Sequence, residues 1–399
     1  MKMACRCESR KASIVEAGGP VATAFKGLTW DHPRGYDALA FAAASARNSS
    51  GLPLVSWSRQ PLEDFESHPI GDLASRYDLI VIDHPHVGDA VQHSCLRPLE
   101  DVFDTGVLEQ WRRQTAGQAM ESYLIQGRHW AIPLDVACQV AASRADLLSH
   151  EPPDDWDGVL KLSGQRPVAL SLAGPHALLT FFSICLSLGT EPCEDDLAPT
   201  APGVEALSLI KRLHRNANCE FEGLNPIGLL ERMSTSDDIA LVPLIFGYVT
   251  YSRRRSGRHA IQFSGSPKIG RDGRRGSVLG GTGIALTSRC QPTAQLVEHL
   301  RSFMDVETQR ALIPDHEGQP SASSAWEDER LNAECNNFYN ATRSTLEDAW
   351  VRPRFSGYVA FQDRASAVLR ASLDADESPS YILDRLRLLW IRAAASARV

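Results

Sequence analysis

The stretch LTWDHPRGYDAL, Leu28 to Leu39, decides the fold. A short apolar run ends at Trp30, five polar or turn-forming residues follow, and the chain from 35 to 47 is rich in alanine and leucine. These features predict a buried strand over 25–30 and a helix over 35–47. In open α/β sheets, ligands bind beyond the carboxyl ends of strands, so the residues between the two elements are candidates for a ligand crevice.

The same pattern occurs again in YDLIVIDHPHVGDA at 77–90. A predicted strand over 79–82 ends in Asp83, His84 and Pro85, as the first strand ends in Asp31, His32 and Pro33. Asp and Pro commonly only end strands and cap the helices that follow, which would explain a single occurrence. Two occurrences in adjacent strand–helix units favour a crevice shared by both.

Size and charge limit the classes of protein. A chain of 399 residues is expected to form two lobes. A formal net charge of −8 argues against nucleic acid or an anionic membrane as the partner, and a small molecule fits better. The sequence contains no run of about 18 to 20 apolar residues, so no direct membrane insertion is expected.

The start of the chain bears on its location. Residues 1–21 are predicted to form a flexible tail and lack the apolar core of a secretory signal. Nine cysteines without paired spacing suit a reducing compartment, and Cys5 and Cys7 have no second pair at zinc spacing, so no metal is expected. The sequence as written predicts a cytoplasmic protein, and a periplasmic or extracellular one if the true N-terminus is missing.

The remainder alternates between predicted strands and helices. Further strands are predicted at 130–134, 167–174, 239–244 and 278–288, and helices at 176–188, 203–217, 293–313, 344–350, 362–373 and 381–395. The stretch 253–275 holds eight basic residues, which is typical of a solvated loop, with an anion-binding role as the alternative.

Six motifs occur in a characteristic order: YDLIVID, GRHWAIPLDV, ADLLSHEPPDDWDGVLKL, DDIALVPLIFGY, LGGTGIALTS and ETQRALIPDHEGQPSASSAW. In this order the chain resembles the type II solute-binding proteins of ABC transporters, particularly the extracellular solute-binding family that includes sugar binders. The resemblance spans about residues 25 to 395. It implies an α/β, two-lobe, type II periplasmic-binding-protein-like fold with a helical C-terminal region. The implied division is a tail at 1–21, a first lobe at 22–136 with 278–330, a second lobe at 137–277, and C-terminal helices at 331–399 that pack on the lobes.

The resemblance also implies a function. Two such lobes close on a ligand by hinge motion, so the chain is expected to bind a small polar solute, a sugar or an organic acid, for a membrane permease and without a cofactor. Trp30 would stack on the ligand, Asp31 and Asp83 would accept hydrogen bonds, and Arg34 would pair with a carboxylate or hydroxyl. The expected ligand-binding residues are Trp30, Asp31, His32, Arg34, Asp83, His84, Asp135, Gln139, Tyr248 and Tyr251.

An intracellular enzyme on the same fold is the alternative, because folds host unrelated chemistries. His32 or His84 would then be the general acid or base. Asp83, or alternatively Asp31 or Asp135, would orient the imidazole or take the opposite proton role. Lyase, isomerase or hydrolase chemistry without a cofactor would fit these residues.

Overall fold

A mixed β-sheet forms the centre of the protein. The computed structural model describes residues 24–193, 196–270 and 272–397, and the predicted tail with Cys5 and Cys7 lies outside these residues. The strands are β1 Phe25–Trp30, β2 Val55–Gln60, β3 Leu79–Ile82, β4 Leu96–Arg97, β5 Leu124–Ile125, β6 Arg128–His129, β7 Ile132–Ser143, β8 Leu241–Phe246, β9 Gln262–Ser264 and β10 Leu279–Thr287. The main path of the sheet runs β2-β1-β3-β10-β7-β8, with β4 on β10 and β9 on β7.

Helices cover the sheet and form the C-terminal region. They are α1 Pro33–Ser45, α2 Leu62–Ser67, α3 Ile70–Arg76, α4 His86–Gln92, α5 Thr105–Gln114, α6 Trp156–Ser163, α7 His176–Ser187, α8 Thr200–Asn216, α9 Pro226–Thr235, α10 Ala294–Ser302, α11 Ile313–Asp315, α12 Ser323–Trp326, α13 Glu329–Glu334, α14 Phe338–Glu347, α15 Tyr358–Asp374 and α16 Pro379–Ala397. Among the helices of the described residues, none is long and apolar enough to cross a membrane.

Strand β7 belongs to two halves of the sheet. All twelve of its residues are buried. Its first part, Ile132 to Cys138, pairs with β10, which continues to β3 and the parallel pair β1–β2. Its second part, Gln139 to Ser143, pairs with β8 and β9. One continuous strand therefore connects two lobes, and β10 runs antiparallel beside it.

The buried apolar side chains form separate clusters, and one of them extends across both halves of the sheet, from Trp30 of β1 to Val242 of β8. Trp30, Leu39 and Ile132 lie in one cluster of buried residues, and Phe182 and Trp390 lie in another. Helices α15 and α16 contact α7 and α8, and α15 also contacts α2 and α4, so the C-terminal helices touch elements on both sides of the shared strand. The boundaries of the lobes given from the sequence stay a prediction.

The helices and strands predicted from the sequence agree with the structure to different degrees. Strands β1 and β3 have the predicted bounds, because the last four residues of β1 and all four residues of β3 are buried and a polar Asp-His-Pro sequence follows each strand. Strand β7 extends nine residues beyond its predicted end, from 134 to 143, since it continues into the second half of the sheet. The segment 167–174 makes only a single bridge to β8, at Val168, and the predicted helix 293–313 is interrupted between α10 and a π-helical turn at Thr308–Leu312.

The pairing of β7 and β10 requires a glycine. Gly281 has a φ of +118°, next to a change of register between Thr282 and Gly283. A Cβ atom there would lie 2.6 Å from the carbonyl oxygen of Asp135. Both the backbone conformation and the close approach exclude a side chain.

We expect Gly281→Ala to lower the free energy of unfolding by about 2 to 4 kcal/mol, because the methyl group strains both strands. Gly71→Ala is the matched control. Gly71 lies in α3 with open space around it, and alanine there should raise stability by about 0.5 to 1 kcal/mol. Urea unfolding of both variants measures the difference, and equal stability of Gly281→Ala and wild type would contradict the strain.

Candidate functional site

The corner between β1 and α1 carries three aromatic or charged side chains. Trp30 is buried at the end of β1, and Gly35 leaves room for it, because a Cβ on Gly35 would lie 2.2 Å from the indole nitrogen. His32 is the N-cap of α1, and its Nδ1 accepts a hydrogen bond of 3.1 Å from the backbone N–H of Arg34. The His32 ring stacks on Trp30 at 5.2 Å with the two planes 7° apart.

Arg34 connects this corner to strand β7 and to the residues that follow β8. Its Nε donates to a carboxylate oxygen of Asp135 on β7 at 2.8 Å, and its Nη1 donates to the carbonyl oxygen of Gly247 at 3.1 Å. The guanidinium also lies 4.7 Å from the centre of the Tyr248 ring. Both members of the ion pair are buried, with side chains 4% and 2% exposed. Asp135 is fully engaged, because its other oxygen accepts the backbone N–H of Thr282 at 2.7 Å.

The second Asp-His-Pro corner, after β3, is held by an arginine from the C-terminal region. Asp83 pairs with the buried Arg352 at 2.5 Å and accepts the backbone N–H of His84 at 2.8 Å. Burial alone would raise the pKa of the Asp83 carboxyl, but Arg352 and His84 together hold it below its usual value. Burial and Arg352 lower the pKa of His84 to about 4, so its imidazole is neutral near pH 7.

Two cavities lie beside an aromatic cluster formed by Trp30, His32, Tyr248 and Tyr251. The inner cavity has a volume of about 50 Å³. It is lined by Trp30, Arg34, Leu62, Phe65, Glu66, Asp83, Ala137, Phe246, Tyr248, Gly280, Gly281 and Thr282. It therefore lies between the ends of β1 and β3, the paired strands β7 and β10, and the end of β8.

The outer cavity lies on the other side of the aromatic cluster and has a volume of about 340 Å³. It is lined by His32, Pro33, Glu231, Ser234, Thr250, Tyr251, Arg253, Arg255, Arg258 and His259. Burial, with Arg34 and Arg255 nearby, lowers the pKa of His32 to about 3. Burial and Glu231 raise the pKa of Tyr251 to about 12. Both side chains are therefore neutral near pH 7.

Six of the ten predicted ligand residues line these cavities, and a seventh, Asp135, pairs with one of the six. Trp30, Arg34, Asp83 and Tyr248 line the inner cavity, Asp135 holds Arg34 there, and His32 and Tyr251 line the outer cavity.

Besides Asp135, three predicted residues line neither cavity. Asp31 is exposed and pairs with Arg59 at 3.0 Å. Gln139 is buried and accepts a hydrogen bond of 2.6 Å from the Ser183 hydroxyl. His84 is 1% exposed, and its Nε2 has no hydrogen-bond partner among the described residues. His32 and His84 do not share a cavity.

Sequence reasoning missed other residues of the site. Glu66, Phe65 and Phe246 line the inner cavity, and Glu66 lies 3.2 Å from Nε2 of His176. Nothing in the local sequence distinguishes these residues from ordinary helix and strand positions. The arginines of the outer cavity did have a signal, the basic stretch after Tyr251, but composition alone could not tell a cavity wall from a solvated loop.

Comparison with solved structures gives the fold class. Maltose-bound MalE3 of T. maritima is 14% identical over 94% of this chain and 99% of that chain, with a TM-score of 0.77. The GacH receptor of Streptomyces glaucescens is 14% identical over 93% and 98%, with a TM-score of 0.76. An ABC-transporter solute-binding protein of Agrobacterium radiobacter K84 in complex with ribitol is 18% identical over 92% and 98%, with a TM-score of 0.74.

The two-lobe fold predicted from the sequence is therefore confirmed, and the chain resembles ABC-transporter solute-binding proteins over nearly its whole length. The sequence matches no family model and no curated protein. At these identities the similarity establishes the fold.

We expect Arg34→Met to lower the free energy of unfolding by about 3 to 5 kcal/mol, because it leaves the Asp135 carboxylate buried without its partner. The double variant Arg34→Met/Asp135→Asn should recover at least half of this loss, since asparagine still accepts the Thr282 N–H. Arg59→Met is the control, because its pair with Asp31 is exposed and should contribute less than about 1 kcal/mol. A double-mutant cycle measured by urea unfolding tests the pair. If Arg34→Met lowers the free energy of unfolding no more than Arg59→Met does, the pair between Arg34 and Asp135 is not buried as described.

The lowered pKa of His32 predicts a pH dependence. The unfolded chain takes up a proton at His32 near pH 6.5, whereas the folded chain does so only near pH 3, so stability falls as pH decreases between these values. The His32→Asn variant lacks this titrating group. Between pH 6 and 4, the slope of its free energy of unfolding against pH should be smaller than that of wild type by up to about 1.4 kcal/mol per pH unit. At pH 8 the two proteins should agree within about 1 kcal/mol, because asparagine is also a good N-cap. Urea unfolding from pH 4 to 8 measures both quantities, and parallel profiles would contradict the buried neutral imidazole.

Proposed function

We propose that the protein reversibly binds a small polar solute in the cleft between its lobes, as the solute-binding component of an ABC transporter. The observation that carries this proposal is the position of Arg34. It lies in the first turn of α1, shortly after β1 ends, pairs with Asp135 on the shared strand β7 and donates to Gly247, just after β8. Ligands of α/β sheets bind at such strand ends.

The solved structures of the same fold support a polar, hydroxyl-bearing solute. Their ligands are maltose, ribitol, D-mannitol and alpha-D-tagatose, and GacH was solved with acarbose. The cleft of this chain offers the groups that such molecules need. Trp30 and Tyr248 supply flat apolar faces, and Arg34, Asp83 and Glu66 supply donors and acceptors of hydrogen bonds.

Solute entry requires the lobes to separate. The inner cavity of about 50 Å³ is far smaller than the roughly 300 to 1,000 Å³ typical of ligand pockets. Bending of β7 and β10 would open it, and the hydrogen bond of 2.7 Å between Asn225 at the start of α9 and Glu63 on α2 would break. Hinge closure around ligands is the usual motion of this fold.

Binding accounts for the cleft better than catalysis does. A general acid or base must reach the proton that it transfers. His84 lines neither cavity, and His32 and Asp83 line different cavities. No further contact in the described residues favours the acid–base alternative.

A membrane permease is the partner that this role implies. A transport role would place the chain in the periplasm or outside the cell, whereas its cysteine content favours the cytoplasm. Fractionation of the native cells, with detection of the protein in each fraction, distinguishes the two locations.

Native mass spectrometry of the protein purified from its own cells, followed by calorimetry with sugars, polyols and organic acids, tests solute binding. We expect one bound solute per chain, recovered chemically unchanged. Tyr248→Leu should weaken binding about tenfold, because it removes an aromatic face worth roughly 1 kcal/mol or more. Tyr36→Leu is the control, since Tyr36 packs under Arg59 and lines neither cavity. The proposal fails if no member of the panel binds, or if the bound solute is converted to a product.

A further inference from the structure

We propose that the outer cavity is an oxyanion subsite, so that the solute carries a carboxylate or phosphate group. This inference rests on the proposed function, because it concerns the chemical class of the solute.

Three guanidinium groups line the outer cavity, and only one carboxylate lines it with them. Arg258 pairs with this carboxylate, Glu231, at 2.7 Å. Arg255 pairs with Glu317, which is not part of the cavity wall. Arg253 has no carboxylate within ion-pair distance among the described residues. The cavity wall therefore carries an excess of positive charge.

Arg253 is held in place while part of its donor set stays unused. Its Nη2 donates to the carbonyl oxygen of Pro314 at 2.8 Å, which fixes the side chain. Its Nε is buried and has no hydrogen-bond partner in the part of the chain that the structure describes. A guanidinium fixed in this way is preorganised for an oxyanion, because its planar fork matches carboxylate and phosphate oxygens.

Two neutral donors face the same space. Thr250 is 7% exposed, and its buried hydroxyl has no hydrogen-bond partner within residues 24–193, 196–270 and 272–397. Nδ1 of His32 accepts the Arg34 N–H, so the neutral imidazole carries its proton on Nε2 as a donor. Leaving a buried hydroxyl unpaired costs about 1 to 3 kcal/mol, which a bound oxygen atom would recover.

The size and position of the outer cavity fit one charged end of a solute. Its volume of about 340 Å³ lies within the usual range for small ligands. The aromatic cluster separates it from the inner cavity, with His32 and Tyr251 on one side and Trp30 and Tyr248 on the other. When the lobes separate, a solute whose hydroxyl-bearing body lies against Trp30 could therefore place its acidic group among the arginines.

The first experiment uses inorganic phosphate and acetate as probes, with ionic strength held constant by sodium chloride. We expect saturable binding of at least one of them to the full chain, measured by thermal shift and calorimetry. Arg253→Gln should weaken it at least tenfold, and Thr250→Val several-fold. Thr250→Val removes only an unpaired hydroxyl and should fold normally even if Arg253→Gln does not. Arg254→Gln is the matched control, because it removes the same charge from an exposed neighbour that does not line the cavity, and its affinity should stay within twofold of wild type.

The second experiment compares D-glucose, D-glucuronate and D-glucose 6-phosphate together with the solute recovered from cells. The recovered solute should be acidic, and the better of the two charged sugars identifies the group that the cavity accepts. If the recovered solute is neutral and the Arg253→Gln variant binds it as tightly as wild type does, the oxyanion subsite is overturned. The proposal of solute binding then still stands. An equal loss of anion affinity in the Arg253→Gln and Arg254→Gln variants would also overturn the oxyanion subsite. Such a result would mean that the anions are attracted by the net positive charge of the surface and not by the cavity. If phosphate or acetate binds but no organic solute is recovered or bound, the result supports the oxyanion subsite and contradicts the proposed role in solute transport.

Discussion

The buried ion pair between Arg34 and Asp135 is the interaction on which the rest of the cleft depends. Removing two charges from water is unfavourable, and such a pair persists only where its remaining hydrogen-bonding groups are satisfied. Here the Gly247 carbonyl and the Thr282 N–H satisfy them. The pair thereby fixes the β1–α1 corner against the strand that both lobes share. The positions of Trp30 and Tyr248 follow from it.

The cleft is closed because its polar groups are paired with one another. Arg34 is bound by Asp135, Asp83 by Arg352, and Glu66 lies beside His176. Under the proposed function, a solute would have to replace some of these contacts with its own. Its specificity would then depend on how well the groups of the solute match those that it displaces, since an unmatched buried charge is strongly unfavourable. The outer cavity differs, because Arg253 and Thr250 have donors that none of the described residues accepts.

Sequence reasoning succeeded where a local pattern determines the structure. The runs ending at Trp30 and Ile82 are apolar and bounded by polar residues, so strand bounds and strand-end positions followed directly, and with them Arg34 and Asp83 as cleft residues. Sequence reasoning failed where the surroundings of a side chain depend on contacts with distant parts of the chain. Gln139 has the same period-2 position as Asp135, but at Gln139 the partner of β7 changes from β10 to β8, and the side chain meets Ser183 instead. Asp31 directly follows β1 and pairs with Arg59 at the surface. The arginines after Tyr251 could not be assigned, because only the folded chain places them beside α9.

The shared strand also limits how this protein can be divided. A linker joining two domains can be cut, and each half then keeps its own hydrogen bonds. Strand β7 gives its first residues to one half of the sheet and its last residues to the other. A fragment ending between Cys138 and Gln139 would leave unpaired backbone groups at a new edge of each sheet, and such edges pair with other chains. Neither lobe is therefore a self-sufficient folding unit, and the evolutionary exchange of one lobe for another would have to carry both crossing strands with it.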